Sequence, residues 1–503
     1  MSLLLNSVAV VLVSVASVCV GAYGLRSRST SDFFVASHSV SPLRNAAAVG
    51  GEYLSAASYL GIAGLVLAFG APMLWYGIGY TAGFLMLLVL VAAPLRRSGA
   101  YTVSDFAEAR LGSLAVRRAA TAFVVLIGWL YQVPQLQAAG LALRTAFEAP
   151  AWAGALLVSA VVLLNVLASG MRSVTLVQAF HFWFKLAALA VPALVMVVLW
   201  GNGWHLDGGS AGDGSAGPGV PAPAASGPGP LPSGAGPELY GLYSLMVATF
   251  FGAMGLPHVV ARFYTNPDGR TARRTAVGVL GLLGAFYLLP AVYGGLGRRY
   301  ASDLVGSGHA DAVVVLLPGR LVPGPAGAVL TAVVIAGAFA AFLSVCSGLT
   351  LSVASVLCQD VFGGGVRGFR RATVTAAAVP CGLALLLSAP GISIAREVGL
   401  VFAIAASSFC PLLVLGIWWR RLTAAGALAG MLAGGGLATA ALVLTLLGVP
   451  GGGWWGALVG QPAAWTVPLA FLTMVAVSLA TQSRVPAGAS RALARLHLPQ
   501  TPA

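Results

Sequence analysis

The chain has 503 residues, of which 58% are hydrophobic and 8% are charged, and its formal net charge is +14 at pH 7. With a mean hydropathy of +0.91, this composition excludes an ordinary soluble domain and predicts a polytopic membrane protein. The arginines occur in short groups between apolar segments, which indicates membrane topology and not a nucleic-acid surface. The five cysteines lie in apolar segments without C-x-x-C spacing, so neither a disulfide framework nor a zinc site is predicted.

About 13 apolar segments are long enough to cross a bilayer as helices of roughly 20 residues. The first covers 2–23, and it is followed but not preceded by basic residues, which is typical of a retained helix with its N-terminus outside. The others are predicted near 43–70, 73–95, 118–147, 151–168, 173–200, 238–262, 274–296, 325–357, 371–389, 396–418, 423–447 and 463–482. The predicted fold class is therefore an all-α membrane protein.

The second segment contains the run GGEYLSAASYLG, which places Gly50, Gly51 and Glu52 near the middle of a span. Glycine is a weak helix former, and a charge at the bilayer centre costs roughly 2.5 to 3.5 kcal/mol. Broken backbone at this depth is tolerated only where it faces protein or a water-filled cavity. We therefore predict a discontinuous helix whose gap is a ligand site.

A second interruption is predicted in the span at 238–262, where the sequence GAMGLP runs from Gly252 to Pro257. The order of spans makes this segment run from outside to inside, whereas 43–70 runs from inside to outside. Two interrupted helices of opposite direction, each opening a set of five spans, indicate an inverted-repeat transporter with its site at the bilayer midplane.

The spans divide the chain into six predicted parts. Residues 201–237 are rich in Gly, Pro, Ala and Ser and lack Lys and Arg, which predicts a disordered extracellular loop. The other parts are the first helix with its cytoplasmic loop (1–42), the first five-helix repeat (43–200), the second repeat (238–421), two additional helices (422–483) and a short basic cytoplasmic tail (484–503).

The distribution of arginine predicts the orientation in the plasma membrane. With the N-terminus outside, 21 of the 26 arginines fall on the cytoplasmic side. The five on the outside are Arg144, Arg298, Arg299, Arg320 and Arg396. This asymmetry is a strong positive-inside signal. It predicts a multi-pass protein with its C-terminus in the cytoplasm.

Four separated motifs occur in a fixed order. They are GEYLSAASYLG at 51–61, SGMRSVTLVQAFHFWFKL at 169–186, GLPHVVARFYTNPDGRTARR at 255–274 and AFLSVCSGLTLSVASVLCQD at 341–360. Together they resemble the sodium:solute symporter family, and most closely its cation/acetate permease branch, over about 30–420. The resemblance implies a LeuT-type fold of five plus five inverted helices.

The resemblance also implies a site for sodium. This ion prefers oxygen ligands. Its positions in this sequence are the backbone oxygens of Gly51, Leu54 and Ala341 and the side chains of Ser344 and Val345. Val345 departs from the usual Ser or Thr, and Gln178 stands where several relatives carry Asp. Sodium and the proton both stay open as the coupling ion, and the alternative for Ser344 is a hydrogen bond to its own helix.

Two charged residues lie deep in predicted spans, and such residues indicate function. Glu52 lies at the predicted break, and Lys185 is the only lysine of the chain. We expect them to pair or to face the substrate cavity, with Glu52 able to carry a proton. The alternative is that Lys185 extends towards the membrane surface.

The substrate is expected between the two breaks. Pro257 suits the first turn of a new half-helix, whose free amides and positive dipole end favour a small carboxylate. The candidate cavity residues are Glu52, Ser55, Tyr131, Gln135, Lys185, Gly252, Gly255 and Pro257. His258 is a second possible proton carrier. The alternative is that His258 is a histidine at a helix end without a role in transport.

The sequence predicts a secondary active symporter that imports a small, acetate-like monocarboxylate by alternating access, driven by Na⁺ or H⁺ and without another cofactor. The alternative is another small solute, such as an amino acid. An enzyme is not indicated, because the chain has no H-E-x-x-H or nucleophile motif. The expected partners are the organic anion and the lipid bilayer, not a nucleic acid.

Overall fold

The computed structural model describes residues 2–23, 40–168, 171–201, 236–387, 393–449 and 451–498. Within these ranges all regular secondary structure is helical, as predicted. The loop predicted to be disordered at 201–237 lies almost wholly outside the described residues.

The first part of the chain holds both halves of the first broken span. Its described helices are α1 (Ser2–Tyr23), α2 (Pro42–Tyr53), α3 (Ile62–Phe69), α4 (Trp75–Met86), α5 (Ala92–Ser98), α6 (Val103–Leu111), α7 (Leu114–Phe147), α8 (Ala151–Ala168) and α9 (Met171–Gly201). A π turn at Ala57–Gly61 leads into α3, and another at Leu87–Val91 joins α4 to α5.

The second part follows the loop at 201–237. Its described helices are α10 (Gly236–Gly255), α11 (Pro257–Ala261), α12 (Gly269–Tyr300), α13 (Asp303–Gly306), α14 (Val313–Leu321), α15 (Gly324–Asp360), α16 (Gly365–Leu386), α17 (Ile394–Trp418), α18 (Ala424–Met431), α19 (Leu437–Leu446), α20 (Gly453–Gly460), α21 (Ala463–Ala480) and α22 (Ala489–His497). Short 3-10 turns at Arg262–Thr265 and Ala310–Ala312 precede α12 and α14.

The membrane spans agree with those predicted. In the described ranges, 11 helices are long and apolar enough to cross a membrane, and the bent pair Pro42–Tyr53 with Ala57–Phe69 raises this number to 12. A shorter apolar helix, Ala151–Leu167, coincides with the span predicted at 151–168. Within the described residues each predicted segment thus coincides with a helix or a broken helix, and the predicted all-α membrane fold is confirmed.

Burial distinguishes the central spans from the peripheral ones. Of the most apolar stretch in each span, 89% is buried in α17 and 78% in α15, compared with 28% in α1. A helix that is apolar on all sides is suited either to a protein interior or to lipid. Helices α15 and α17 therefore form the centre of the bundle, and α1 turns most of its surface outward.

The two interruptions differ in geometry. The first broken span bends by 74° between its halves. The second is interrupted at Leu256, whose extended backbone (φ −71°, ψ 115°) separates α10 from α11, yet Gly236–Thr265 continues as one span. Both predicted discontinuities are present, and the sharper one is in the first span.

Candidate transport site

The first break lies about one turn beyond the paired glycines. Helix α2 continues through Gly50 and Gly51 to Tyr53, and the Leu54 amide still donates to the Gly50 carbonyl at 3.0 Å. The backbone leaves the helix at Leu54, where ψ is 90°. The predicted position of the break is therefore corrected: Gly51 serves close packing, because a Cβ there would lie 2.2 Å from the Gln178 carbonyl oxygen on α9.

The ammonium group of Lys185 lies against the carbonyls released at this break. Its Nζ donates to the backbone oxygens of Gly51 and Leu54, at 2.6 Å in each case. Lys185 is fully buried, near the middle of α9. The alternative in which it extends towards the membrane surface is therefore wrong.

Glu52 forms a buried ion pair with Arg262, and the expected pairing with Lys185 is wrong. Arg262 Nε donates to the Glu52 carboxylate at 2.6 Å, and both side chains are buried. The guanidinium also donates to the Thr175 hydroxyl at 2.8 Å and to the Gln178 amide oxygen. The Gln178 amide nitrogen donates to the Ser344 carbonyl at 3.1 Å. This network connects both interrupted spans to α9 and α15.

Sequence reasoning missed Arg262, because it was assigned to a cytoplasmic loop at the end of its span. The structure places it at the start of a 3-10 turn, where its carbonyl accepts hydrogen bonds from Asn45 at 3.1 Å and Thr265 at 2.7 Å. The available signal was its position in the motif GLPHVVAR, between one and two turns after the interruption. An arginine there can reach back to a buried carboxylate.

Helix α15 carries the remaining residues expected to bind a cation. Ala341, Ser344 and Val345 are all buried. Ser344 Oγ lies 3.3 Å from the position that a Gly51 Cβ would take, and it has no hydrogen-bond partner among the described residues. The alternative in which Ser344 bonds to its own helix is therefore wrong. Val345 has no side-chain oxygen.

These residues do not fit a sodium ion in this arrangement. The Gly51 and Leu54 carbonyls are already bonded by the Lys185 ammonium. Two unit positive charges about 4 Å apart would repel each other by about 4 kcal/mol at an effective dielectric constant of 20. Val345 supplies no oxygen in compensation. The expected sodium position is therefore filled by a side-chain cation.

Hydrogen-bonding groups without partners gather near the two breaks. Gln135 Oε1 accepts from the Ala56 amide at 2.7 Å, which places this side chain beside the first break. Tyr131 lies one turn earlier on the same face of α7, opposite Ser55, and its ring centroid is 5.5 Å from that of His258 on α11. Within the described ranges, Gln135 Nε2, Tyr131 Oη and His258 Nε2 are buried without a hydrogen bond of normal geometry.

Aromatic side chains surround this polar group. The Phe402 ring of α17 lies edge-on to Tyr80, Tyr131 and Tyr53, with centroid separations of 4.9, 5.8 and 6.0 Å. Such pairs prefer edge-to-face geometry and pack rigidly. The unpartnered donors are thus held in an apolar and well-packed surrounding.

The structure places the glycines of the second interruption against α17. A Cβ on Gly252 would lie 2.6 Å from the Phe402 carbonyl oxygen, and one on Gly255 would lie 2.3 Å from that of Ala405. These residues serve helix packing. Pro257 begins the short helix α11, as predicted, but α11 has five residues before the 3-10 turn, so its dipole is small.

Two neighbouring glutamines on α7 are hydrogen-bonded, in contrast to the amide nitrogen of Gln135. Gln132 donates to the Gly128 and Ala376 carbonyls and accepts from Thr350, and Gln137 donates to the Leu387 carbonyl at 3.1 Å. Both are bonded within and between helices. Gln135 differs because its amide nitrogen is left free beside a broken helix.

A narrow cavity leads to the site from the side predicted to be cytoplasmic. Its lining includes Glu52, Tyr101, His258, Arg262, Ser355 and Gln359. Tyr101, in the turn before α6, is half exposed, whereas the ion pair and His258 are buried. The cavity therefore runs from the surface towards the second interruption.

Comparison with known proteins identifies the family. The model of the sodium:solute symporter family matches residues 33–434. The chain belongs to the sodium:solute symporter family. The resemblance drawn from the four motifs is thereby confirmed, and so is the prediction that this chain is a transporter and not an enzyme.

Two curated relatives within this similarity span most of the chain. The uncharacterized symporter YwcA of Bacillus subtilis (strain 168) is 30% identical over 433 residues, which are 81% of this chain and 80% of that protein. The monocarboxylic acid transporter of Corynebacterium glutamicum is 29% identical over 498 residues, which are 93% of this chain and 89% of that protein.

Solved symporter structures share the fold. A Na⁺-coupled sialic acid symporter in a substrate-bound, outward-open state superposes with a TM-score of 0.68 at 15% identity, over 94% of this chain and 98% of its own. The nucleobase-cation-symport-1 family transporter Mhp1, in a closed conformation, gives a TM-score of 0.51 at 15% identity, over 93% of this chain and 99% of its own. The LeuT-type architecture expected from the sequence is confirmed.

Proposed function

We propose that this symporter imports a small monocarboxylate, such as acetate, propionate or pyruvate, across the plasma membrane, and that a sodium or proton gradient drives the import. One observation carries the proposal: the unpartnered groups of Tyr131, Gln135 and His258 lie together beside the two breaks. The similarity to a monocarboxylic acid transporter along 93% of the chain supports it.

A carboxylate matches these groups chemically. It accepts hydrogen bonds at two oxygens and donates none, and the Gln135 amide, the Tyr131 hydroxyl and the His258 ring nitrogen in its Nε2–H tautomer can all donate. A buried donor without a partner costs about 1 to 3 kcal/mol. A bound carboxylate would remove that cost, and the aromatic surrounding would accept its short apolar part.

The same contacts disfavour an amino acid as the substrate. An ammonium group buried away from water is best paired with a carboxylate. Glu52 is the carboxylate beside the site, and it is already engaged by Arg262 at 2.6 Å. We therefore propose a solute with one negative charge and no ammonium group.

Transport would proceed by alternating access around this midplane site. The cavity lined by His258 and the Glu52–Arg262 pair is proposed as the route to the cytoplasm. For substrate to leave by this route, the two interrupted spans must separate where the ion pair now joins them.

The test is uptake of labelled acetate into proteoliposomes, with a sodium gradient and a proton gradient imposed separately. The Gln135→Glu variant retains the acceptor for the Ala56 amide but replaces the free donor by a negative charge, so we expect it to abolish uptake. Tyr131→Phe should raise KM by about 10- to 100-fold, because one hydrogen bond to a charged group is lost.

Gln137→Glu is the matched control, since Gln137 lies on the same helix but bonds to the Leu387 carbonyl. It should retain most of the uptake. If unlabelled propionate and pyruvate fail to compete while glycine or alanine does, the monocarboxylate assignment is wrong. Equal loss in the Gln135 and Gln137 variants would show that the proposed donor site does not bind the substrate.

A further inference from the structure

We infer that the Lys185 ammonium is a resident cation that takes the place of a sodium ion at the first break, so that transport proceeds without sodium at this position. The inference rests on the proposed symport and concerns which cation the broken helix holds. The geometry of two groups and the choice of side chain support it.

The first group is the pair of carbonyls. Gly51 and Leu54 are the backbone positions at which the family resemblance expects sodium, and both oxygens lie 2.6 Å from Lys185 Nζ. Hydrogen bonds this short are typical of a charged donor. An ammonium that bonds both carbonyls satisfies them as a metal ion would, and it leaves no position for a second cation between them.

The second group is the pair of side chains Ser344 and Val345 on α15. A sodium ion would use side-chain oxygens here, but Val345 has none and the Ser344 hydroxyl has no hydrogen-bond partner within the described ranges. Lys185 supplies a fixed positive charge at this position, and Val345 offers no side-chain oxygen to an added ion.

The third argument is the choice of side chain. Every other long cationic side chain in this sequence is an arginine, and Lys185 is the single lysine. An ammonium is a compact point charge with three donors, whereas a guanidinium is a wide planar fork. Only the ammonium has a shape close to that of a monatomic ion. Together with Glu52 and Arg262 it gives the site a net charge of +1, which suits a monocarboxylate.

The experiment compares purified wild type with K185A, V345S and the double variant K185A/V345S, by thermal unfolding in NaCl and in choline chloride of equal ionic strength. We expect no sodium-specific effect in wild type or in V345S, which retains the lysine. K185A/V345S restores an oxygen-lined position, and sodium should raise its Tm by about 2 °C or more in a saturable manner.

Acetate uptake provides a second measurement. Wild type should transport equally well in sodium and in choline media under a proton gradient. The double variant should transport at least about 10-fold faster with sodium than without it, which corresponds to a tenfold change in an equilibrium constant. Absence of uptake in every variant would contradict the proposed substrate, while the unfolding measurements would still decide the role of Lys185.

Two results would overturn the inference. One is sodium-specific stabilisation of wild type that is removed by S344A, since this would place sodium at the position assigned to the ammonium. The other is a folded double variant without any sodium response. If the double variant does not fold, binding of radioactive sodium to wild type and to S344A decides the question: binding that S344A abolishes overturns the inference, and absence of such binding supports it.

Discussion

The Glu52–Arg262 pair is a buried ion pair between the two interrupted spans. Both side chains are almost inaccessible to solvent, with 2% and 1% exposed, and the guanidinium is further held by Thr175 and Gln178. Removing one partner of a buried ion pair leaves an uncompensated charge, which is far more costly than losing an exposed pair. The pair therefore joins the spans and lines the cavity that reaches His258.

We expect Arg262→Met to lower the free energy of unfolding by about 3 to 5 kcal/mol, because it leaves the Glu52 carboxylate buried and unpaired. The double variant E52Q/R262M should lose less. Thermal or denaturant unfolding in detergent would measure both. Arg320→Met is the control, since Arg320 pairs with the exposed Asp303 and should lose no more than about 1 kcal/mol. Equal losses in the two single variants would contradict the structural role of the buried pair.

At the scale of elements, α3 and α17 meet through one carboxylate in the 3-10 turn at Ala310–Ala312. Asp311 Oδ2 accepts from the Ile394 amide at the start of α17, at 3.0 Å, where the helix dipole favours a negative charge. On α3, a Cβ at Gly64 would lie 2.4 Å from Asp311 Oδ1. The second half of the broken helix can therefore approach the turn that carries Asp311 only because residue 64 is a glycine.

This contact predicts a dependence of stability on pH. Burial raises the pKa of Asp311 to about 6, above its usual value of about 3.9. The folded state thus retains a proton that the unfolded chain has lost, so its stabilising contribution is complete below about pH 4 and is lost as the pH rises to about 6, by about 2 to 3 kcal/mol in total.

Asp311→Asn should flatten this part of the curve of unfolding free energy against pH. The control is Asp303→Asn, which removes an exposed carboxylate on the same connection and should leave the curve between pH 4 and 6 unchanged. Glu397, one turn into α17, lies close enough to interact with Asp311, so the measurement is repeated in E397Q. A slope that persists in D311N and disappears in E397Q would contradict the assignment to Asp311.

At the scale of the whole molecule, the spans were predictable because length and hydropathy are local properties of a segment. The candidates Tyr131 and Gln135 were also predictable, because an amide or hydroxyl group in a membrane span is costly unless it has a hydrogen-bond partner. The partners of Glu52 and Lys185 were not predictable from the sequence. The chain offers 26 arginines to Glu52, and only the packing of α2 against α9 and α11 selects Arg262 for it and leaves Lys185 to the carbonyls of the break.

The tail supplies the remaining evidence on orientation. It was predicted as a short basic segment, and its described part forms α22, which packs beneath the bundle: Arg97 of α5 donates to the Leu496 carbonyl at 2.9 Å, and the His497 ring bonds to the Ile417 carbonyl at 2.9 Å. The same face holds Arg96, which donates to the Pro267 carbonyl at 2.7 Å. Two of the arginines predicted to be cytoplasmic, Arg96 and Arg97, thus lie on the face to which the tail docks.

We therefore expect this face, with the C-terminus, to lie in the cytoplasm and the turn at Ser307 to lie outside. In a background without the five native cysteines, S307C should react with a membrane-impermeant maleimide on intact cells. S490C, on the exposed side of α22, should react only after permeabilisation. Labelling of S490C in intact cells would invert the orientation, and the cavity at the Glu52–Arg262 pair would then open to the outside, so that the proposed direction of substrate release would be reversed with it.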